Sequence, residues 1–250
     1  MRPSAPRFAA LVAVLTASVA LAGVFDLPRP APPDRYGTVL IDREADSGSS
    51  KAVVFSHWRH RARHSCRVCH FELGFELQTN ATPITEEDNR NGEFCGACHD
   101  GKEAFSVRDE ARCNECHAGR IRADKAAFSE FAKKLPKAPY GNTIDWVAAG
   151  EILDEKYALF KDEKPMEFDK ELLLEARWYN ISPAVFPHTA HVEILDCANC
   201  HPDVFNIKKK TTEHFEMRFI LEGAFCGACH LTVAFPLDDC VRCHPGMKER

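Results

Sequence analysis

The sequence predicts a mostly irregular fold with few, short α-helices and little sheet, laid out as two similar modules joined by a helical segment. Three observations predict it. All twelve cysteines fall into six Cys-x-x-Cys-His motifs. The chain resembles itself at an offset of 131 residues. Between the two copies, residues 125–180 contain neither Cys nor His and carry apolar residues at helical spacing.

The first stretch, 1–22, reads as an export signal. Arg2 and Arg7 make a short positive region, Phe8–Val19 is apolar apart from Thr16 and Ser18, and Ala20-Leu21-Ala22 is a small-x-small cleavage site. The rival reading is an uncleaved membrane anchor, since Phe8–Phe25 is 18 residues without a charge. Both readings put the rest of the chain outside the cytoplasm, in the periplasm or at an outer surface. No other stretch is apolar enough to cross a membrane. Residues 23–35 form a Pro-rich tether (DLPRPAPPD, Asp26–Asp34), and DSGSS at Asp46–Ser50 is a flexible turn. The formal net charge of −5 becomes −7 once Arg2 and Arg7 are removed, which gives no support to nucleic-acid binding.

The cysteines decide the chemical class. They pair as Cys66/Cys69, Cys95/Cys98, Cys113/Cys116, Cys197/Cys200, Cys226/Cys229 and Cys240/Cys243, with none left over. Each pair is followed at once by a histidine: His70, His99, His117, His201, His230 and His244. A disulfide framework gives no reason for that histidine. Zinc sites combine pairs and histidines into fours without fixing His at this position. A thioredoxin-like redox pair occurs once, on a βαβ pattern that is absent here. Covalent haem c accounts for every feature. Two thiols about one turn apart add across the two porphyrin vinyl groups, and the next residue supplies the proximal nitrogen to the iron.

The duplication divides the chain. Phe55-Ser-His57-Trp-Arg-His60 lies on Phe186-Pro-His188-Thr-Ala-His191, and Gly92-Glu-Phe-Cys-Gly-Ala-Cys-His99 lies on Gly223-Ala-Phe-Cys-Gly-Ala-Cys-His230. Three motifs fall in each copy, so the modules are placed at 36–124 and 181–250 with a connecting segment at 125–180. In that segment Phe128, Phe131 and Leu135 sit at helical spacing before Pro136, and Trp146–Leu153 and Leu172–Trp178 also read as helices. Their apolar side chains are read as packing against haem faces or between modules.

Six histidines lie outside the motifs: His57, His60, His64, His188, His191 and His214. His57 and His60 correspond to His188 and His191; residues three apart share a helical face, so each pair can serve two neighbouring haems. The others break the symmetry. His64 falls opposite Leu195, His214 opposite Pro83, and Met217 opposite Glu86. A methionine sulfur on the iron favours the reduced state.

These residues, "FSHWRH … CRVCH … GEFCGACHDGKEAFSV … CNECH", resemble the three-haem modules of the cytochrome c7 family, within the c3-like cytochromes. The resemblance covers both modules but neither the connecting segment nor the tether. It implies that His57 and His188 ligate haems one and four, and His60 and His191 haems two and five. It also implies a His or Met ahead of the second motif as ligand to the third haem. Met217, nine residues before Cys226, fits that place, with His214 its rival. In the first module PITEEDNRNGEFC offers neither residue, which leaves His64 or an open iron.

Removing residues 1–22 leaves roughly 38 residues per haem. A chain that sparse cannot build an ordinary core, so porphyrins and thioether links must hold it together. Filled axial positions leave one-electron transfer as the available chemistry. The expected function is therefore an exported six-haem electron carrier or conduit in anaerobic respiration. Its partners would be redox proteins such as other cytochromes or membrane electron-transfer complexes, with membrane association through an uncleaved N-terminus. The alternative is a multihaem reductase of nitrite or hydroxylamine type using an open iron at the third haem of module one. A haem-bearing anchor or filament subunit is a third class. Arg59, Arg61, Arg63 and Arg67, and the run Lys208–Lys210, are read as neutralising propionates or as a solvated face, with a docking patch for an acidic partner as the rival reading.

Overall fold

The computed structural model describes residues 29–43, 50–176, 181–207 and 215–247. The expected leader, most of the DSGSS turn, Lys208–Lys210 and His214 lie outside the described residues. No described helix is long and apolar enough to cross a membrane.

Each module opens with the same device. Strands β1 (Thr38–Ile41) and β2 (Val53–Ser56) pair antiparallel with Val39 opposite Phe55, and β2 runs directly into helix α1 (His57–Arg61). In the second copy β3 (Glu171–Leu174) pairs antiparallel with β4 (Ala184–Pro187), Leu172 opposite Phe186. There β4 leads through His188 into the helix Thr189–Val192. The β-branched run Val53-Val54 and the Val185-Phe186 pair suit a half-buried strand.

One expectation fails here. Leu172–Trp178 is not a helix: Glu171–Leu174 is a strand, and Trp178 lies outside the described residues. Leu172 and Leu174 are half-buried while Glu171 and Leu173 are exposed, an alternation of period two that only a strand can satisfy. The connecting segment therefore supplies one strand of the second module's hairpin.

Helices α2 (Glu86–Arg90) and α3 (Cys113–Cys116) complete the first module. The connecting segment adds α4 (Lys125–Ala132) and α5 (Trp146–Leu153), and the Thr189–Val192 helix is α6. The second module continues with α7 (Met217–Leu221), α8 (Gly227–His230) and α9 (Cys240–Cys243). Helices α2 and α7 stand 131 residues apart and pack the same way on the motif that follows them. A Cβ on Gly96 would collide with the carbonyl oxygen of Asn89 in α2, and one on Gly227 with that of Ile220 in α7. Just before each motif the backbone takes positive φ at Phe94 (45°) and Phe225 (53°), a costly conformation for a bulky residue. Thus the repeated hexapeptide FCGACH encodes a left-handed turn and a close backbone approach as well as a haem motif.

The only cluster of buried apolar side chains among the described residues belongs to the connecting segment. Phe128 and Ala132 of α4, Leu135, Ile144 and Ala149 of α5 close around Trp58 of α1, with Phe131, Trp146 and Leu153 at the rim. Asp145 caps α5 by accepting from the Ala148 amide at 3.2 Å. So the apolar face predicted at Phe128, Phe131 and Leu135 packs on the back of the helix that carries His57 and His60. Tyr36, almost fully buried, donates its hydroxyl to the carbonyl of Ala234 in the other module.

Candidate haem sites

All twelve thiols are unbridged. In five motifs the histidine amide closes one helical turn onto the first cysteine, with His99, His117, His201 and His230 at 2.9 Å from the carbonyls of Cys95, Cys113, Cys197 and Cys226, and His244 at 2.8 Å from Cys240. At the remaining motif His70 sits in the wider turn Val68–Glu72. One turn separates the sulfurs and brings the histidine beneath them, as attachment to a porphyrin requires.

The histidines share a second property. Ten of them place Nδ1 on a backbone carbonyl. The acceptors for the motif residues are Phe75 for His70 (2.9 Å), Phe105 for His99 (3.0 Å), Lys51 for His117 (2.7 Å), Phe205 for His201 (2.7 Å), Phe235 for His230 (3.0 Å) and Ser182 for His244 (2.7 Å). Outside the motifs they are Gly37 for His57 (2.6 Å), Ser56 for His60 (3.0 Å), Lys170 for His188 (2.7 Å) and Pro187 for His191 (2.8 Å). A carbonyl only accepts, so Nδ1 carries the proton and Nε2 keeps its lone pair for a metal. Burial pushes His57 down to about 4 and lowers His60, His70, His191 and His230 as well, which favours the neutral form of each ring.

The rings then meet in pairs. His57 faces His70 with centroids 6.4 Å apart and planes 10° from parallel. His60 faces His99 at 6.3 Å, and His191 faces His230 at 6.3 Å. A metal–nitrogen bond is about 2 Å and the ring centre lies roughly 1.15 Å behind that nitrogen, so two imidazoles on opposite sides of one iron have centroids about 6.3 Å apart. The residues therefore fit haem iron. Phe55 stacks on His60 at 4.3 Å and meets His57 edge-on at 4.9 Å; Phe186 does the same to His191 (4.4 Å) and His188 (4.9 Å). The aromatic that opens Phe-x-His-x-x-His holds both rings.

The family model described as "Cytochrome c7 and related cytochrome c" matches residues 53–118 and 184–245, half of the chain. The chain belongs to the cytochrome c7 family. Its cofactor is haem c, and it is a multihaem c-type cytochrome. Among solved structures, the C-terminal hexahaem fragment of GSU1996 is 28% identical, covering 83% of this chain and 96% of that one, with a TM-score of 0.28. A c7-type three-haem cytochrome domain is 34% identical over 32% of this chain and 91% of its own, with a TM-score of 0.28. The dodecahaem cytochrome c GSU1996 is 25% identical over 80% of this chain and 72% of its own, at 0.29. No curated protein matches the chain.

In this cytochrome the remaining candidates fall differently. His188 meets Phe168 and Phe186 edge-on, and it forms no ring pair with His201 among the described residues. Met217 is half-buried at the start of α7. Its counterpart Glu86 points outward, 79% exposed, and pairs with Arg90 at 2.7 Å. His64 faces no motif histidine: it lines a cavity of about 320 Å³ with Arg63, Glu103 and Lys156, and its buried Nδ1 has no partner.

Three of the four arginines near the first motif, Arg59, Arg61 and Arg67, meet carboxylates of the folded chain. Arg67, 4% exposed, bonds Glu72 at 2.8 Å, Glu163 at 2.5 Å and Asp196 at 3.2 Å. Arg61 pairs with Glu155 at 3.5 Å and donates to the Cys66 sulfur at 3.0 Å, while Arg59 pairs with Asp124. The Nδ1 acceptors also escaped sequence reasoning. Any residue can present a carbonyl, and only the 131-residue spacing of Lys51 from Ser182 and of Ser56 from Pro187 could have singled out some of them.

Proposed function

We propose that this cytochrome carries six haem c groups and moves single electrons through them, as an exported carrier or conduit between redox proteins. Haem c supplies a one-electron iron couple tuned by its axial ligands. The cysteine pairs 66/69, 95/98, 113/116, 197/200, 226/229 and 240/243 hold the porphyrins, and the histidine after each is the proximal ligand. His57, His60, His188 and His191 are the distal ligands of sites one, two, four and five. Met217, with His214 as rival, serves site six. The observation that carries the reading is the meeting of His57 with His70, His60 with His99, and His191 with His230 at 6.3–6.4 Å. Closed on both sides, such irons exchange electrons without binding substrate. Export, and modules bounded at 36–124 and 181–250, belong to the same proposal, since thioether attachment of this kind is made outside the cytoplasm.

A second reading has its own support. At the third site the place of Met217 is taken by the outward-facing Glu86, and His64 lies apart, so His117 is the one ligand the first module offers. An open iron there is what a nitrite- or hydroxylamine-type reductase would need. Low-temperature EPR of the oxidised protein separates the two. Electron transfer predicts low-spin signals with at most one high-spin site and no turnover of nitrite or hydroxylamine. Turnover at that site would overturn the carrier reading.

A further inference from the structure

Among the described residues the two modules touch around the first motif and its distal histidine, His57. On its proximal side, Asn199, inside the Cys197–His201 motif, donates Nδ2 to the backbone carbonyl of His70 at 2.9 Å. The amide of Arg67, next to the first motif's Val68, reaches the Ile194 carbonyl at 2.9 Å, and its side chain reaches Asp196. On the distal side, Gly37 holds His57 by its carbonyl, and a Cβ placed on it would meet the backbone of Thr232 and Val233 within 4 Å, just after the Cys226–His230 motif. Tyr36 ties that contact down through Ala234. The fourth and fifth motifs therefore grip opposite faces of the first. Cys113, Cys197 and Cys240 are exposed, so sites three, four and six reach the surface.

We propose that electrons cross between the modules at site one, through a junction of the Cys66–His70, Cys197–His201 and Cys226–His230 sites, with Asn199 and Arg67 as positioning residues that keep it closed. The proposal rests on the six-haem reading. Each crossing oxidises one ferrous site to ferric and reduces its neighbour from ferric to ferrous, with no bond or proton changing hands. The geometry makes sites three and six the ends of the line and lets site four act as a branch.

The test is a stepwise oxidation of the haem-loaded protein followed by NMR of the haem methyl groups, assigned to sites through neighbouring side chains. A haem shifts the potential of those closest to it. Site one should respond to oxidation of sites four and five as strongly as to site two, and sites three and six should not respond to each other. Asn199→Asp keeps the acceptor that caps the Asp196 amide at 2.8 Å but loses the donor to His70. It should lose the one-to-four response and keep the responses within each module. If Asn199→Asp does not load haem, Arg67→Met is read the same way, and the wild-type response pattern stands as a test by itself. A dominant response between any other inter-module pair, or responses unaltered by both variants, would overturn the proposal. Fewer than six haems in the intact mass would instead overturn the reading beneath it.

Discussion

Replacing Arg67 should loosen the junction by an amount the structure sets. The guanidinium is 4% exposed and serves Glu72, Glu163 and Asp196, whose side chains are 8%, 37% and 27% exposed. Removing one partner of a buried ion pair costs about 3–5 kcal/mol, because the other charge is stranded. Two of the three carboxylates here can turn to water. Glu72 cannot, although its other oxygen keeps the Leu159 amide at 2.6 Å. The cost of Arg67→Met should thus fall at the lower end, about 3 kcal/mol, or about a hundredfold in the opening equilibrium. Native-state hydrogen exchange at the Leu159 amide reads that opening locally. Adding Glu72→Gln removes the stranded charge and keeps the acceptor, so the double variant should recover about 1–2 kcal/mol. A loss below about 1 kcal/mol in the single variant, as for an exposed pair, would refute the reasoning, as would a double variant no better than the single.

Other outcomes follow from the same geometry. His60→Ala removes the ring opposite His99, so one site should turn high-spin and bind cyanide, while His64→Ala should leave the spectrum unchanged. Trp58→Ala empties the centre of the connecting-segment core and should cost about 3–5 kcal/mol, seen as a lower thermal midpoint. Gly96→Ala and Gly227→Ala drive a methyl group into a backbone carbonyl and should each reduce haem loading by mass; normal loading would show that α2 and α7 do not pack as described. Met217→Leu should lower the potential of site six; if only His214→Leu alters that site, the histidine is its ligand.

The sequence made the haem chemistry legible because it is local. Two thiols and an imidazole within five residues need no tertiary information, and the doubling at 131 residues pointed to His57, His60, His188 and His191 before any geometry was known. The apolar stripe of Phe128, Phe131 and Leu135 was legible for the same reason, although α4 ends at Ala132 and Leu135 follows it in a bend. What escaped was long-range. Arg61 and Arg67 look like part of a basic patch until Glu155 is folded onto the first and Glu163 and Asp196, 129 residues away, onto the second. Leu172–Leu174 looked helical because three leucines in a row carry no period, and only pairing with β4 decides it. The carbonyls that orient the imidazoles leave no trace in residue identity.

Intact mass of the matured protein under denaturing conditions tests the central claim most directly, since only thioether-linked haem survives unfolding. The account predicts a single species carrying six haems. A polypeptide free of tetrapyrrole, or one carrying fewer than six, would contradict it.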